Sequence, residues 1–415
     1  MKTSERLLPN WISAYLSFSA HSEAPTQFHF WTAVSVIAGA LRRQVWIDQG
    51  YFQWTPNFYI IFVAPPGIVQ KSTTAGIGAK ILHQLPEIQF GPDIVTWQSL
   101  VTSLADSKIE VPLFDDGLYH PMSCITIVSS EFGNFLDPTD RSMVDLLVSL
   151  WDGQKTNFEK ATKTQGGDII VNPWVNIIAC TTPGWIAGSF PEYLIGGGFT
   201  SRCIWVYSDV KRKLVAYPKY HIPEDFQEQQ EILVHDLELI SQIRGEMTMT
   251  PEAIAWGEEW YQRHYELRED ITLDQNVWGG YMARKQTHIH KLAIILSAGT
   301  SSDRVITREH LMMADQAVTD LEPNMGKVFA LIGKSGDAKN LDRVLGVLQR
   351  TRAIDKEVLL KELVAFMGLD AANNAINAGV AAGLVNLRAI RNRVIVSDAV
   401  QERQRESHLK EVKEG

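Results

Sequence analysis

The 415-residue chain has few cysteines and no long hydrophobic run. Its three cysteines, Cys124, Cys180 and Cys203, form no C-x-x-C pair, which argues against a disulfide framework or a zinc site and for a reducing compartment. The apolar runs at 31–41 and 290–299 are too short to span a bilayer, and the amino terminus lacks a signal-peptide pattern. These absences predict a cytoplasmic protein without membrane contact.

An excess of positive charge is also lacking. The formal net charge is −9, so the field of the whole molecule repels nucleic acid, and any DNA contact requires a local basic surface. With 45% hydrophobic and 21% charged residues, the composition is that of an ordinary globular protein. The length favours two or three domains.

The order of helical and strand-like patterns divides the chain. Short buried strands that alternate with helices predict a three-layer α/β core with a mainly parallel sheet. Three helices followed by a hairpin predict a carboxy-terminal winged-helix domain, preceded by a polar linker at 333–340. The predicted segments are an amino-terminal helical segment (1–50), the α/β core (51–222), a helical region (223–332), the winged-helix domain (341–400) and a charged tail (401–415).

The stretch APPGIVQKSTT, residues 64–74, lacks the glycine that precedes the lysine in the phosphate-loop pattern G-x-x-x-x-G-K-[ST]. A strand-like run leads into it and a helical pattern follows, which is the context of a phosphate loop. Backbone amides at the turn can form an anion nest; Lys71 would contact the β- and γ-phosphates, and Ser72 would bind Mg²⁺. The stretch therefore predicts a site for ATP and Mg²⁺, and the alternative is a strand-to-helix turn with a solvated lysine. The predicted nucleotide contacts are Pro66, Gly67, Gln70, Lys71, Ser72 and Thr73.

Polar residues at the ends of two later strands fit the same chemistry. The run ITIVSSE ends in Glu131, a candidate for polarising the attacking water, and Ser130 stands where an aspartate usually helps to hold Mg²⁺. The run NIIACTTP places Thr182 where a hydroxyl could sense the γ-phosphate. The plainer interpretations are a surface glutamate and a strand-forming threonine.

Arg202 follows a glycine-rich loop and precedes an apolar strand. An arginine so placed could reach the γ-phosphate bound by a neighbouring subunit, although a lone arginine is more often a surface residue. The chain order of Lys71, Glu131, Thr182 and Arg202 predicts these four as the catalytic residues.

Four stretches resemble a family of P-loop ATPases of phages, prophages and plasmids, long classed as a domain of unknown function and related to replicative helicases of mobile elements. The stretches are FHFWTAVSVIAGALRRQVWID, TPNFYIIFVAPPGIVQKST, LWDGQKTNFEKATKTQGGDIIVNPWVNIIACTTP and GGGFTSRCIWVY. The resemblance covers about residues 25–300. It implies a RecA- or AAA-like core, a ring that we expect to be a hexamer, single-stranded DNA as a ligand, replication proteins as partners and the cytoplasm of a bacterial host.

The resemblance also implies roles for single residues. Lys71 and Ser72 match the phosphate-loop lysine and hydroxyl, and Glu131, Thr182 and Arg202 look like the second-strand acid, the sensor and the arginine finger. Arg284 or Lys285, at the expected start of the helix ARKQTHIHKLAII, resembles a second sensor that contacts nucleotide. The loop is longer than the family's pattern, and the strand aspartate is missing. Both departures should affect the rate of ATP turnover more than the binding of nucleotide.

Several other residues carry weaker signals. Asp152 is either a second acid near the site or part of a helix-ending turn, and His288 and His290 are interpreted as structural or solvent-facing. In the hairpin, three arginines alternate along a strand and could grip a DNA backbone, with a protein-docking role as the alternative. They are Arg388, Arg391 and Arg393. The basic stretch 209–219 is interpreted as a solvated loop.

These patterns together predict an ATP- and Mg²⁺-dependent ring ATPase that acts on DNA, as a replicative helicase or a close relative. The first alternative is a helicase loader or initiator that uses ATP as an assembly switch. The second is a non-hydrolysing DNA- or protein-binding scaffold.

Overall fold

The computed structural model divides the chain into two compact units, Met1–Ile332 and Gly333–Gly415. The described residues are 5–92, 96–113, 118–154, 157–160, 168–191, 194, 198–270, 275–329, 336–351, 353–381, 383–390 and 393–399. No described helix has the length and apolar character needed to cross a membrane.

The first unit is mixed α/β. Its strands are β1 (Val45–Asp48), β2 (Gln53–Trp54), β3 (Tyr59–Val63), β4 (Lys108–Val111), β5 (His120–Ser129), β6 (Asn157–Lys160), β7 (Asp168–Val171), β8 (Pro173–Thr181), β9 (Cys203–Tyr207), β10 (Gly245–Glu246), β11 (Thr248–Met249) and β12 (Val305–Ile306). Its helices are α1 (Trp11–Phe18), α2 (Thr26–Leu41), α3 (Lys71–Leu82), α4 (Trp97–Asp106), α5 (Phe132–Phe135), α6 (Arg141–Asp152), α7 (Pro183–Ser189), α8 (Phe226–Ile240), α9 (Pro251–Asp270), α10 (Gln275–Thr300), α11 (Arg308–Thr319) and α12 (Glu322–Phe329).

The central sheet has the strand order β4-β5-β8-β3-β9. β5, β8, β3 and β9 are parallel, whereas the edge strand β4 runs antiparallel to β5. Val63 at the end of β3 pairs with Thr181 of β8 and Tyr207 of β9, so these three strands end at one edge of the sheet. The mainly parallel sheet predicted from short buried apolar runs is confirmed.

Helices cover both faces of this sheet. Because alternate residues of a strand face opposite sides, Phe62 and Tyr59 of β3 point to different faces. Phe62 stacks on Phe28 of α2 with a centroid distance of 4.4 Å, and the Tyr59 hydroxyl donates to the Leu147 carbonyl of α6 at 2.9 Å. The sheet therefore lies between α2 and α6, and all five residues of β3 are buried.

The three predicted segments of the first unit, 1–50, 51–222 and 223–332, share one hydrophobic core. α1 packs on α8: the Trp11 indole nitrogen donates to the Leu233 carbonyl at 2.8 Å, and Phe18 stacks on Phe226 at 4.4 Å. The three cysteines are buried and unpaired, and burial raises the pKa of Cys124 to about 11 and that of Cys180 to about 12.

Helix α10 corrects one boundary. Arg284 and Lys285 lie within this helix, which begins at Gln275, so the prediction that they open it is wrong. The helix includes the glycine pair Gly279-Gly280, and glycine is tolerated in a helix whose packing needs it. A Cβ at Gly280 would lie 3.3 Å from Cβ of Ser201, so this glycine permits a close approach.

The second unit has its own apolar core, which includes Val344, Leu359, Ile376 and Val396. Its elements are α13 (Gly336–Thr351), β13 (Ala353–Asp355), α14 (Lys356–Val364), α15 (Leu369–Ala381), β14 (Val385–Ile390) and β15 (Arg393–Asp398), with the sheet order β13-β15-β14. The three predicted helices and the hairpin are confirmed, whereas β13 was not expected. Because α13 begins at Gly336, the prediction of a linker through residue 340 is wrong.

The hairpin also corrects the placement of the arginines. Arg388 is exposed on β14 and Arg393 belongs to β15, and Ile390 pairs with Arg393, so the chain reverses direction between these strands. The expectation that the arginines alternate along one strand is therefore wrong. Arg391 and the tail 401–415 lie outside the described residues.

Candidate functional site

The stretch 64–74 connects β3 to α3 at the edge where β3, β8 and β9 end. Pro66 and Gly67 are exposed, and Gly67 has a φ of 72°, a left-handed conformation that glycine adopts without strain. Val69 is fully buried and anchors the turn in the core. The strand-turn-helix context predicted for a phosphate loop is confirmed.

Gln70 stands where the phosphate-loop pattern has the glycine before the lysine. Its backbone has φ 51° and ψ 42°, the left-handed conformation, directly before the first residue of α3. A non-glycine residue adopts this conformation at a cost of about 1–2 kcal/mol. The sequence departure therefore changes the residue but leaves a left-handed turn before the lysine.

The first turn of α3 presents backbone amides beside a lysine. The first amides of a helix have no partner within it and carry the positive end of its dipole, and the residues that bear them here are Lys71, Ser72 and Thr73. Ser72 and Thr73 are exposed. This is an arrangement that binds phosphate groups.

Lys71 lies folded back over the turn. Its ammonium donates to the carbonyls of Ala64 at 2.8 Å and Pro65 at 3.4 Å. Partial burial lowers the pKa of Lys71, while the nearby Cys180 and Glu131 act in the opposite direction. These carbonyls hold the ammonium beside the turn. The Lys71 side chain is flexible and can move from this position to contact a bound phosphate.

Glu131 and Ser130 follow β5 at the same edge. Both are exposed, and Glu131 is close enough to Lys71 to influence its pKa. The Ser129 hydroxyl donates to the Glu131 carbonyl at 2.9 Å and holds the backbone where α5 begins. The two candidates for water polarisation and Mg²⁺ binding therefore lie at the same edge of the sheet as the loop, with β8 between β5 and β3.

Thr182 follows β8, which lies between β3 and β5. Its side-chain oxygen accepts a hydrogen bond from the Trp185 amide at 3.1 Å and thereby caps α7. A hydroxyl that accepts one hydrogen bond can still donate its own hydrogen. Capping gives Thr182 a structural role beside the predicted contact with the γ-phosphate.

Glu23 joins the loop to another segment, and no sequence pattern predicts this role. Its buried carboxylate accepts from the Gln70 side-chain amide at 3.0 Å, from Lys211 Nζ at 2.6 Å and from the Val215 amide at 2.9 Å. The hydrogen bond from Lys211, followed by that from Val215, lowers the pKa of Glu23. No local pattern identifies this residue, because its partners lie 47, 188 and 192 residues away.

Arg202 occupies a second cluster, at the opposite ends of the parallel strands. Its guanidinium forms a two-point ion pair with Asp152, at 3.2 Å from Nε and 2.6 Å from Nη2, and donates to the Gly198 carbonyl at 2.6 Å. Arg284 joins this cluster through Ser201 Oγ at 3.1 Å and Asp152 at 3.7 Å. The side chain of Arg202 is only 6% exposed, compared with 30% for Arg284.

Lys291 and two histidines lie beneath this cluster. Lys291 is buried, donates to Asn57 Oδ1 at 2.8 Å and lies 3.8 Å from the ring centroid of Trp151; burial lowers its pKa well below the ordinary value. His288 and His290 are also buried, so their structural interpretation is supported and the solvent-facing one is wrong. A cavity of about 480 Å³ opens beside the cluster and is lined by Trp54, Asp152, Arg284, Gln286 and Lys291 among others.

The predicted site residues therefore form two groups. Lys71, Glu131 and Thr182 gather at the carboxyl ends of the strands, whereas Arg202 and Arg284 lie at the amino ends, because Cys203 pairs with Tyr59 at the start of β3. The four steps from Tyr59 to Val63 span about 13 Å. Within one chain the arginines do not join Lys71, and the interpretation of Asp152 as a second acid near the loop is wrong.

Comparison with known proteins adds no relative: no protein-family model matches the sequence, and no curated protein matches it. The relation to phage and plasmid ATPases inferred from the four stretches therefore stays a prediction. Among the described residues, no group of three or more His, Cys, Asp or Glu side chains is arranged to hold a metal ion.

Proposed function

We propose that the first unit is a P-loop ATPase with a RecA- or AAA-like core, and that the turn after β3 binds the triphosphate of ATP. The observation that carries this proposal is the backbone of Gln70: a left-handed residue leads into α3, as the missing glycine would, and Lys71 stands at the mouth of the turn. Pro66 and Gly67 would border the phosphates from the opposite side of the turn.

The surrounding residues suit phosphoryl transfer. ATP with Mg²⁺ supplies the phosphoryl group and shields its charge. Lys71 would release the carbonyls of Ala64 and Pro65 and donate to phosphate oxygens instead. The Ser72 hydroxyl would bind Mg²⁺, and Ser130 is a second candidate for this contact. Glu131 would orient and polarise the attacking water, and the Thr182 hydroxyl would donate to the γ-phosphate.

The separation of the two groups favours catalysis between copies of the chain. If subunits assemble head to tail, the amino-end cluster of one copy can face the nucleotide of the next, and an arginine there would stabilise the charge of the transferring phosphoryl group. Arg284 is the more accessible arginine, and Arg202 is held by Asp152. We therefore propose a ring, with a hexamer as the expected form.

We further propose that this ATPase drives movement on single-stranded DNA, as a replicative helicase or a related motor of a phage or mobile element, together with replication proteins in the host cytoplasm. The resemblance of the four sequence stretches supports this role. The second unit has the element order helix-strand-helix-helix-strand-strand, which supports a winged-helix domain. There the exposed Arg388 is a candidate contact for DNA.

Nucleotide binding is the decisive test. Lys71→Ala should weaken the binding of a fluorescent ATP analogue in magnesium buffer by about 10- to 100-fold, because charge-assisted hydrogen bonds are lost. The matched control is Lys80→Ala, which removes an exposed lysine from the last turn of the same helix and should bind normally. Equal affinity of the two variants, or no binding by the unsubstituted protein, would refute the proposal.

An assembly switch is the second candidate function. Ser130 in the place of an aspartate favours slow turnover, which suits a helicase loader that uses ATP binding to assemble. Strand displacement by the ATP-bound protein distinguishes a motor from a loader, because only a motor separates a duplex. Binding without measurable hydrolysis would instead favour a scaffold.

A further inference from the structure

The cavity at the amino ends of the parallel strands has a buried wall and an exposed rim. Its volume is about 480 Å³, and the buried side chains that line it include Trp54, Trp151 and Lys291. Phe52 and Gln154, which also line it, are exposed. Sites for small molecules are typically clefts of about 300–1,000 Å³ with an apolar wall and a few polar groups. We call this cavity the amino-end cavity.

Positive charge exceeds negative charge around this cavity. Burial lowers the pKa of Lys291, and three neighbouring guanidinium groups lower it further, those of Arg202, Arg43 and Arg284. Asp152 is the one carboxylate, among the described residues, that acts on the charges of both Arg284 and Lys291. Arg202 already forms a two-point ion pair with this carboxylate. An anion that entered the cavity would therefore be attracted.

Several donors at the cavity have no acceptor among the described residues. Arg284 donates from Nε to Ser201 Oγ at 3.1 Å, and its Nη1 lies 3.7 Å from Asp152, whereas its Nη2 bonds to no described residue. The Trp151 indole nitrogen is buried and likewise unpaired within the described ranges. Three polar side chains of the lining also bond to no described group, those of Ser149, Gln286 and Thr287. Unpaired donors of this kind indicate a missing acceptor.

We propose that the amino-end cavity binds a small carboxylate that carries a flat ring. The planar fork of a guanidinium matches the two oxygens of a carboxylate, so Arg284 would bind the acidic group. The ring would pack on Phe52 and Trp54, whose rings lie 5.4 Å apart in an edge-to-face arrangement. Arg202 and Arg284 share the single carboxylate of Asp152, so a monovalent anion completes the pairing of charges.

The amino-end cavity and the nucleotide loop lie at opposite ends of β3. Cys203, which follows Arg202, pairs with Tyr59 at the start of this strand, whereas Lys71 comes after its end. The loop offers backbone amides and a lysine, which suit a phosphate chain. The cavity offers aromatic walls and an arginine, which suit a ring with one acidic group. Binding of a carboxylate here is therefore independent of the proposed ATPase function.

Titration calorimetry of the full chain with indole-3-acetate tests the proposal. The unsubstituted protein should bind this probe with a dissociation constant below about 1 mM. Arg284→Gln should weaken binding by at least about tenfold, because the charged fork is lost, and Phe52→Ala by about threefold or more, because a wall of the cavity is lost. The matched control Arg308→Gln changes an exposed arginine that does not line the cavity and should bind normally. Lys71→Ala should also bind normally.

Thermal unfolding of each variant shows whether it is folded. The proposal is overturned if indole-3-acetate does not bind, if the folded Arg284→Gln variant binds it normally, or if the uncharged indole-3-ethanol binds equally well. Tighter binding of thymidine 5′-monophosphate would overturn the choice of a carboxylate and assign the cavity to a phosphate. Loss of binding in Lys71→Ala but not in Arg284→Gln would place the anion at the nucleotide loop instead. The fluorescent ATP analogue tests that loop separately.

Discussion

Gln70 donates a hydrogen bond from its side-chain amide to the Glu23 carboxylate at 3.0 Å, while its backbone holds the left-handed turn into α3. One residue thus provides both the backbone conformation of the missing glycine and a connection that glycine could not make. Its backbone and side-chain contributions can be separated by mutation.

Gln70→Gly should retain stability and nucleotide affinity, because glycine relieves a left-handed strain that offsets the lost hydrogen bond. Gln70→Ala loses the same hydrogen bond but keeps the strain, so its free energy of unfolding should be about 1 kcal/mol lower than that of Gln70→Gly. Urea unfolding of both variants measures this difference. Equal stabilities would show that the backbone of residue 70 is not constrained to the left-handed conformation.

Arg202 and Arg284 should differ in their roles. Arg202→Ala removes the two-point partner of Asp152, which is partly exposed and keeps Arg284 at 3.7 Å, and should destabilise the first unit by about 1–3 kcal/mol. Arg284→Ala removes a more exposed side chain, so the melting temperature should change little while ATP turnover falls. Calorimetry and ATPase rates measured on both variants decide the matter. If Arg202→Ala lost turnover at an unchanged melting temperature, Arg202 would be the finger that the sequence predicts.

Two glycines of α3 provide a matched pair. A Cβ at Gly78 would lie 2.3 Å from Thr32 Cγ2 and 2.8 Å from Val36 Cγ2, so Gly78→Ala would separate α3 from α2 and cost about 1–3 kcal/mol. At Gly76 no heavy atom lies within 4 Å of such a Cβ, so Gly76→Ala should stabilise the helix by about 0.5–1 kcal/mol. Opposite signs are expected in urea unfolding, and a loss of stability in both variants would contradict this packing.

His288 should make the protein sensitive to acid. Burial lowers its pKa from 6.5 to about 3, and its Nε2 lies 2.9 Å from the Ser201 carbonyl. Because the unfolded chain binds more protons between these pH values, stability is fully present above pH 6.5 and falls as the pH drops toward 3. The contribution is at most about 1.4 kcal/mol per pH unit.

His288→Gln keeps a donor for the Ser201 carbonyl but removes the titrating group. The slope of the unfolding free energy against pH between 4 and 6.5 should therefore decrease. The decrease should be at most about 1.4 kcal/mol per pH unit, which corresponds to the uptake of one proton. His221→Gln, which changes an exposed histidine, should keep the original slope. The same slope in both variants would contradict the assignment.

The sequence was informative where the physical signal is local. β3, β5, β8 and β9 were predictable because short apolar runs were bounded by turn residues, and the loop could be recognised from the strand and helix around it. The junction at Glu23 and the ion pair between Asp152 and Arg202 could not be predicted, since their partners are far apart in the chain. The start of α10 at Gln275 differs from the predicted start at Arg284 or Lys285, because the ends of a helix are set partly by tertiary packing that local sequence patterns do not carry.

The three buried cysteines have a practical consequence. A thiol reacts as its thiolate, and burial keeps Cys124, Cys180 and Cys203 protonated and shielded from reagents in the folded protein. A single cysteine introduced on the surface can therefore carry a spectroscopic label without replacement of the native ones. Pairs of such labels on differently tagged copies would let energy transfer follow subunit exchange in real time.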